Sequence, residues 1–202
     1  MIELKKIGDF DSLLSNYEKK QIILCHSSRE VSEYLTSLNV RYDMGLDKIP
    51  NYVIDREGNL FQLLDDYKFS NFFPSETINK KSIIISLENL GWLEKKPLST
   101  DYINWKGNIY NGVVYEKKWR DYFYWQPYTD IQIQNTALLC VELINKFGIK
   151  KQVIGHNTKV DYVEHFEGIV CRSNFNTRYT DLNPSFNFIK LENYIEDEQF
   201  AQ

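Results

Sequence analysis

The chain has 202 residues, 43% of them hydrophobic and 15% aromatic, which is enough to build the core of a single domain. Its formal net charge of −4 gives no general attraction to nucleic acid or to anionic lipid, so neither is expected as a partner. No apolar run reaches the roughly 18 residues that span a membrane, and residues 1–10 lack the apolar stretch of a secretory signal; we therefore expect cytosolic synthesis without a signal peptide and no membrane insertion.

The first elements that the sequence predicts are a strand and a helix. Residues 9–17 predict a short helix or a helix cap. The continuous apolar run at residues 22–25 is typical of a buried strand. Ser28 is a suitable N-cap for a helix that extends to about Leu38, because apolar residues recur on one of its faces.

A hairpin and a central strand come next. Residues 52–55 and 60–64 predict the two strands of the hairpin, with a turn at Glu57 and Gly58. Residues 82–88 read S-I-I-I-S-L-E, an apolar run that predicts a strand buried on both of its faces.

The stretch from about residue 90 to residue 127 is an aromatic-rich insertion. Within it, residues 106–115 predict a small hairpin that turns at Asn111 and Gly112. Two interpretations of its rings stay open: they wall a substrate cleft, since aromatic faces suit sugar rings, or they pack the insertion onto the domain. The insertion contains all four tryptophans of the chain: Trp92, Trp105, Trp119 and Trp125.

The last part of the chain predicts two helices and a short strand. Thr129 caps a long amphipathic helix that ends at Gly148. Residues 153–154 predict a short strand, and residues 190–198 a helix in a C-terminal tail that covers about 189–202. Because strands and helices alternate, we expect an α/β fold with a central mixed β-sheet flanked by helices, in one domain of residues 1–202.

Two of the three histidines directly follow predicted strands. His26 ends the run I-I-L-C-H, and His156 follows V-I-G. If these strands are neighbours, both imidazoles lie at the carboxyl edge of one sheet, where open sheets often bind ligands. A core histidine that bonds a backbone carbonyl is the alternative for His26. Cys25 is expected on the opposite face of the strand from His26, because neighbouring residues of a strand alternate.

Asp181 is a third candidate ligand, in the segment N-T-R-Y-T-D-L-N-P-S-F. Two imidazoles and one carboxylate with an open fourth position make a recognised type of catalytic zinc site. Zinc lowers the pKa of a bound water to about 7, so that hydroxide is available at neutral pH. An aspartate before a turn also commonly bonds its own backbone, and this structural role stays open for Asp181.

The order of these motifs resembles that of the zinc-dependent N-acetylmuramoyl-L-alanine amidases, the amidase type 2 family that includes peptidoglycan recognition proteins and phage endolysins. I-I-L-C-H-S-S is similar to the strand that ends in the family's first zinc histidine, N-Y-V-I-D-R-E-G-N-L-F-Q-L to its hairpin, and S-I-I-I-S-L-E-N to its central strand. P-Y-T-D-I-Q-I-Q-N-T-A-L-L resembles the start of its long helix, V-I-G-H-N-T-K-V its second histidine motif, and Y-T-D-L-N-P-S-F the segment of its third ligand. The six motifs cover most of the chain.

The resemblance implies a function and a set of ligands. It implies that His26, His156 and Asp181 hold a zinc ion, and that the reaction is hydrolysis of the amide between N-acetylmuramic acid and L-alanine. A nearby acid or base would pass a proton to the leaving amine. The implied partner is peptidoglycan or muropeptides. The tryptophan-rich insertion and the phrase G-H-N-T-K-V favour a phage-type lysin that acts on the bacterial cell wall, with a virion-borne wall enzyme and a cytosolic recycling amidase as alternatives, and we expect a monomer.

The chain departs from the family pattern at the proton-transfer position. Many members carry a glutamate where this chain has Ser86, and Glu88 matches a second acid of the same strand. Glu88 is therefore a candidate catalytic residue, with a structural role as the alternative. Some phage members use a tyrosine and a lysine instead. Tyr179 takes the place of that lysine and is a candidate to donate a hydrogen bond or a proton. Arg178 beside it is a candidate for electrostatic stabilisation of the oxyanion.

Further candidates concern the substrate and the third ligand. Tyr52, Ser86 and Trp92 are the candidate substrate contacts. Cys171 is a rival of Asp181 as third ligand, because some relatives use a cysteine, but the P-S-F sequence after Asp181 favours the aspartate.

Two functions from different classes follow from these features. The first is an active zinc amidase, which the three candidate ligands favour. The alternative is a non-catalytic peptidoglycan-binding module on the same fold, which the serine at the glutamate position favours.

Overall fold

The computed structural model describes residues 4–6, 10, 13–14 and 17–197. Within these residues the strands are β1 (Leu4–Lys6), β2 (Leu13–Leu14), β3 (Gln21–His26), β4 (Tyr52–Ile54), β5 (Leu60–Gln62), β6 (Lys68–Phe69), β7 (Ser82–Leu87), β8 (Trp92–Lys95), β9 (Tyr102–Asn104), β10 (Ile109–Tyr110), β11 (Tyr115–Trp119), β12 (Tyr122–Trp125) and β13 (Gly168–Cys171). The α-helices are α1 (Val31–Asp43), α2 (Glu76–Lys81), α3 (Asp130–Phe147) and α4 (Phe188–Glu196).

A six-stranded mixed sheet forms the centre of the fold, in the order β1-β5-β4-β7-β3-β13. Strands β4 and β5 pair antiparallel as a hairpin, and the other neighbours pair parallel. The predicted class, a mixed sheet flanked by helices, is therefore confirmed. The predicted strands at residues 22–25 and 82–88 are the adjacent strands β3 and β7, whose residues are all buried.

The two faces of the sheet carry separate parts of the core. Alternation along β3 sends Ile22 and Leu24 to the face that α3 and α4 cover, and Ile23 and Cys25 to the other face. His26 continues the first series, so its side chain lies on the α3 side, opposite Cys25 as predicted.

Helix α1 begins later than the sequence predicts. Ser28 is not its N-cap: its φ of 56° lies in the left-handed region, and Glu30 occupies the cap position without a side-chain hydrogen bond. An N-cap residue needs an extended backbone. The Ser28 carbonyl instead accepts a hydrogen bond from the Trp105 indole of the insertion at 2.7 Å.

The insertion forms its own five-stranded antiparallel sheet, in the order β10-β9-β8-β12-β11. The hairpin predicted to turn at Asn111 and Gly112 is wrong: the turn lies between β9 and β10, at residues 105–108. The Asn104 carboxamide there accepts the backbone N–H groups of Lys106 and Asn108, which closes the turn.

The long helix α3 has the ends that the sequence predicts. Thr129 and Gln132 form a capping box, and Gly148 ends the helix in the left-handed conformation. The tail helix α4 begins two residues before the predicted position 190, and residue 198, its predicted end, lies outside the described residues. Of residues 9–17, predicted as a short helix or cap, the structure describes only a part, in which Leu13–Leu14 is a strand. No helix of the described chain has the length and apolar character needed to cross a bilayer.

Candidate active site

His26 lies at the carboxyl end of β3 and is almost completely buried, with 4% of its surface exposed. Its Nδ1 lies 3.4 Å from the hydroxyl of Tyr128, just before α3. Burial lowers the pKa of His26 to about 4, although the Asp181 carboxylate acts in the opposite direction. Burial also raises the pKa of Tyr128 well above its usual range. At neutral pH the pair is therefore an uncharged imidazole beside a protonated phenol.

A cleft of about 320 Å³ opens over His26. Gly91 closes one side of the imidazole: an added Cβ at this glycine would lie 3.1 Å from the ring, and its φ of +81° suits glycine. Only a residue without a side chain allows the insertion to pass this close to His26. The cleft is lined by His26, Ser28, Leu90, Gly91, Trp92, Trp105 and Thr180.

Two tryptophans of the insertion contribute to this cleft. Trp92 stacks on Tyr122 with ring centroids 4.7 Å apart, which holds its ring in place. Trp105 is 40% exposed, and the Arg29 guanidinium lies 5.0 Å from its ring centroid. The aromatic insertion therefore both packs on the domain and walls this cleft, and binding of a substrate between its rings stays a prediction.

Asp181 lies directly beneath His26 in a charged network. Its side chain has no exposed surface, and the Arg172 Nε lies 2.7 Å from its Oδ2 and 3.0 Å from its Oδ1. Oδ2 also accepts the backbone N–H of His26 at 3.2 Å. The structure therefore brings Asp181 to the backbone of His26, with an arginine as the partner of the carboxylate.

His156 has a different environment. It is exposed, and its Nδ1 accepts the backbone N–H of Thr158 at 3.2 Å and lies 2.8 Å from the Thr158 hydroxyl. The preceding segment pairs with β13 through Val153 and Ile169. Strand β13 thus separates it from β3, and the two histidines do not follow neighbouring strands.

The predicted zinc ligands do not fit a metal site as they are arranged. Among residues 17–197 and the few described before them, no three or more His, Cys, Asp or Glu side chains are grouped so that they could hold a metal ion. Both Asp181 oxygens already have the Arg172 guanidinium as a partner. The rival ligand Cys171 is a buried core residue whose Sγ lies 3.1 Å from Asn174 Oδ1 and 3.6 Å from the His156 carbonyl.

The candidate residues of the central strands lie away from the cleft lining. Glu88 is buried, and its Oε2 accepts the Arg56 backbone N–H at 3.3 Å; burial raises its pKa. Ser86 has no exposed surface and lies in register with Cys25, on the side of the sheet that faces Tyr34. Tyr52 is 3% exposed, and its hydroxyl donates to Asp66. Of the three candidate substrate contacts, Trp92 is the one that lines the cleft.

The two candidate residues in the loop before Asp181 have different environments. Arg178 is exposed and bonds Asn176 through its backbone N–H. Tyr179 is partly buried, and its ring lies 4.8 Å from the Arg172 guanidinium. The cleft residue of this loop is Thr180.

Sequence reasoning missed Arg172, Tyr128 and Gly91. The signal for Arg172 was its position: it directly follows the apolar run I-V-C, which places it at the same sheet edge as His26. Tyr128 and Gly91 carry no such signal, because only the packed fold brings them to the imidazole.

The model of the N-acetylmuramoyl-L-alanine amidase family matches residues 15–167, which include both His26 and His156 and end before Arg172 and Asp181. No protein of curated function matches the sequence significantly.

Several solved structures are similar to this one. The N-acetylmuramoyl-L-alanine amidase LysC from Clostridium intestinale URNW matches with a TM-score of 0.58 and 11% identity, over 96% of this chain and 97% of that chain. The endolysine amidase LysCS from the same organism matches with a TM-score of 0.57 and 12% identity, over 96% and 95% of the two chains. AmiD from E. coli, solved with anhydro-N-acetylmuramic acid-L-Ala-D-gamma-Glu-L-Lys, matches with a TM-score of 0.53 and 17% identity, over 87% of this chain and 57% of that chain.

Proposed function

The chain belongs to the N-acetylmuramoyl-L-alanine amidase family, and we propose that it hydrolyses the amide between N-acetylmuramic acid and L-alanine in bacterial peptidoglycan. The observation that carries this proposal is the family match over residues 15–167, which contain His26 and most of the cleft above it. The muropeptide bound in the AmiD structure supports the same class of substrate.

The cleft suits a ligand that joins a sugar to a peptide. Trp92 and Trp105 offer aromatic faces, which pack against sugar rings and the apolar parts of peptides. The uncharged His26 imidazole and the Tyr128 hydroxyl form a donor–acceptor pair at 3.4 Å. We assign His26, which lines the cleft while Tyr128 engages its Nδ1, the positioning of the scissile amide.

Zinc dependence is the finer part of the proposal. The family resemblance names His26, His156 and Asp181 as ligands, but this set does not fit a metal ion while Arg172 holds Asp181. We therefore derive no step through zinc and assign the substrate contacts to the cleft residues alone.

A second candidate function is peptidoglycan binding without hydrolysis. The ion pair between Arg172 and Asp181 favours it, because the carboxylate that would hold the metal already has a cationic partner. The buried Ser86 at the position of the family's glutamate favours it as well.

One digest separates the two functions. Purified protein is incubated with muropeptides, with zinc in excess or with a chelator, and the products are resolved by mass spectrometry. Release of free stem peptide, lost with chelator, supports the zinc amidase. Muropeptide binding with no stem peptide released under any condition contradicts hydrolysis and supports the binding module.

The role of the cleft is tested with a tryptophan variant. Trp105→Ala is expected to weaken muropeptide binding roughly tenfold or more, because it removes a half-exposed aromatic face from the cleft. Phe123→Ala removes an exposed ring of the same insertion that does not line this cleft, and it serves as the control. Equal losses in both variants would contradict the placement of the substrate.

We further propose a phage-type lysin, which the similarity to the endolysine LysCS supports. A lysin degrades intact walls, so the protein is expected to lower the turbidity of isolated cell walls. Cleavage of soluble muropeptides with intact walls unaffected would instead indicate an enzyme that recycles wall fragments.

A further inference from the structure

We propose that Arg172 is a built-in cation that occupies the carboxylate of Asp181, so that a divalent metal binds there only by displacing the guanidinium. The inference deepens the proposed function, since the amidase assignment is what identifies zinc as the competing cation. The inference concerns whether the site needs a metal. The ion pair between Arg172 and Asp181 forms without any substrate.

The contacts of Asp181 leave little room for a further cation. Arg172 Nε lies within 3.0 Å of both carboxylate oxygens, and the His26 backbone N–H approaches Oδ2 at 3.2 Å. The carboxylate has no exposed surface. A guanidinium meets a carboxylate with directed N–H donors, which makes the geometry more specific than that of a point charge.

The backbone also holds the two residues together. Arg172 directly follows β13, and the carbonyl of Asp181 accepts the backbone N–H of the next residue, Ser173, at 2.7 Å. The segments around residues 172 and 181 are thus joined independently of their side chains. The ion pair is consequently part of the fold at this sheet edge.

Two aromatic rings also lie near the guanidinium. Its centre lies 4.8 Å from the Tyr179 ring and 6.0 Å from the Phe72 ring, and 24% of the Arg172 side chain is exposed. A metal at Asp181 would have to move the arginine out of this setting. The remaining exposure gives the side chain a path to solvent, so displacement at high metal concentration is sterically open.

The position of His156 supports the same conclusion. A shared metal needs His26, His156 and Asp181 within one coordination sphere, yet the described residues contain no such group. The His156 ring is held by Thr158 on the exposed side of its loop. With Arg172 as its partner, Asp181 needs no metal to balance its charge.

The test measures zinc binding by equilibrium dialysis and metal analysis, with zinc chloride as the probe. We expect Arg172→Met to bind zinc about ten- to a hundredfold more tightly than the wild type, because a competing charged hydrogen bond is gone. Adding Asp181→Asn to this variant should abolish the gain. Wild-type protein that keeps one zinc through dialysis, with no tighter binding in Arg172→Met, overturns the proposal.

Two further measurements cover the case in which Arg172→Met fails to fold. Arg172→Lys retains the charge but loses the fork of donors, and it should bind zinc with intermediate affinity. In the unaltered protein, the Arg172 Nε–H resonance should persist with one equivalent of zinc and be lost only in large excess. Loss of that resonance at one equivalent contradicts the proposal.

Stem-peptide release, measured in parallel, separates this inference from the proposed function. Tighter zinc binding in Arg172→Met, with no cleavage by either the wild-type protein or the variant, would support the inference and contradict the amidase proposal. Zinc-dependent cleavage by wild-type protein that holds its metal tightly would support the amidase proposal and contradict the inference.

Discussion

At the scale of single residues, burial decides what each histidine can do. His26 and His156 both follow short apolar runs, yet His26 is 4% exposed and His156 lies at the surface. The buried ring loses its charge at neutral pH and gains Tyr128 and Gly91 as neighbours. The sequence predicted the positions of both residues at strand ends but could not distinguish their environments, since exposure depends on which segments pack above them.

Gly91→Ala tests the contact between the insertion and His26. A side chain at φ +81° is strained by about 1–2 kcal/mol, and the added Cβ would also meet the imidazole at 3.1 Å. Gly107→Ala is the matched control, because Gly107 has a φ of +82° and no atom within 4 Å of the added Cβ. We expect Gly91→Ala to lose more stability than Gly107→Ala in chemical denaturation and to weaken muropeptide binding. Equal losses of stability would show that the contact with His26 carries no energy.

The three cysteines should be unreactive in the native protein. Burial raises the pKa of Cys25 to about 12 and that of Cys171 to about 11, and it also raises the pKa of Cys140. Since the thiolate is the reactive form, a raised pKa leaves almost none of it near pH 8. A disulfide reagent at that pH is expected to modify no thiol before unfolding and all three in denaturant. Rapid modification of one native thiol would contradict this burial.

At the scale of elements, local sequence predicted the ends of α3 better than those of α1. The caps of α3 are residues of its own sequence, whereas α1 begins after Glu30, which makes no side-chain cap hydrogen bond, and the expected cap Ser28 contacts Trp105, far along the chain. The insertion hairpin shows the same contrast. The Asn111–Gly112 pair suggested a turn at those residues. The turn instead follows Asn104, whose carboxamide oxygen accepts the backbone N–H groups of Lys106 and Asn108.

Thr129→Ala tests the capping box of α3. The Thr129 hydroxyl accepts the Gln132 backbone N–H at 3.2 Å and donates to the Arg56 carbonyl at 2.8 Å. Its loss is expected to lower the free energy of unfolding by about 1–2 kcal/mol. Thr36→Ala is the control, since Thr36 is an exposed threonine inside α1 whose hydroxyl bonds only the preceding turn at Ser32. A loss in Thr129→Ala no larger than in the control would argue against a stabilising cap.

At the scale of the whole molecule, the insertion joins two distant parts of the chain over the cleft. Trp105 bonds Ser28 after β3, and Arg120 donates to the carbonyls of Thr177 and Tyr179 in the loop that leads to Asp181. Ser28 and the loop that contains Thr180, both of which contribute to the cleft lining, are therefore tied to one sheet. The cleft is a property of this assembly, and neither the insertion nor the central sheet contains it alone.

Arg120→Ala tests this connection by hydrogen exchange. Loss of the two charge-assisted bonds should speed amide exchange in residues 176–180 about tenfold, since such bonds contribute about 1.5–3 kcal/mol before solvent screening. Arg178→Ala removes an exposed arginine of that same loop and serves as the control. Unchanged exchange in Arg120→Ala would mean that the loop is ordered without the insertion.

The sequence by itself determined the mixed α/β fold, the strands β3 and β7, the hairpin of β4 and β5 and the length of α3, because strand periodicity, caps and turns are local properties. The family resemblance implied one metal site of His26, His156 and Asp181; in the structure the Asp181 carboxylate accepts the backbone N–H of His26, and His156 lies apart at the surface. Only the tertiary structure decided the partner of Asp181, the burial of His26 and the walls of the cleft. These depend on which segments meet across the sheet edge, and a buried carboxylate takes the cation that the packed fold brings to it.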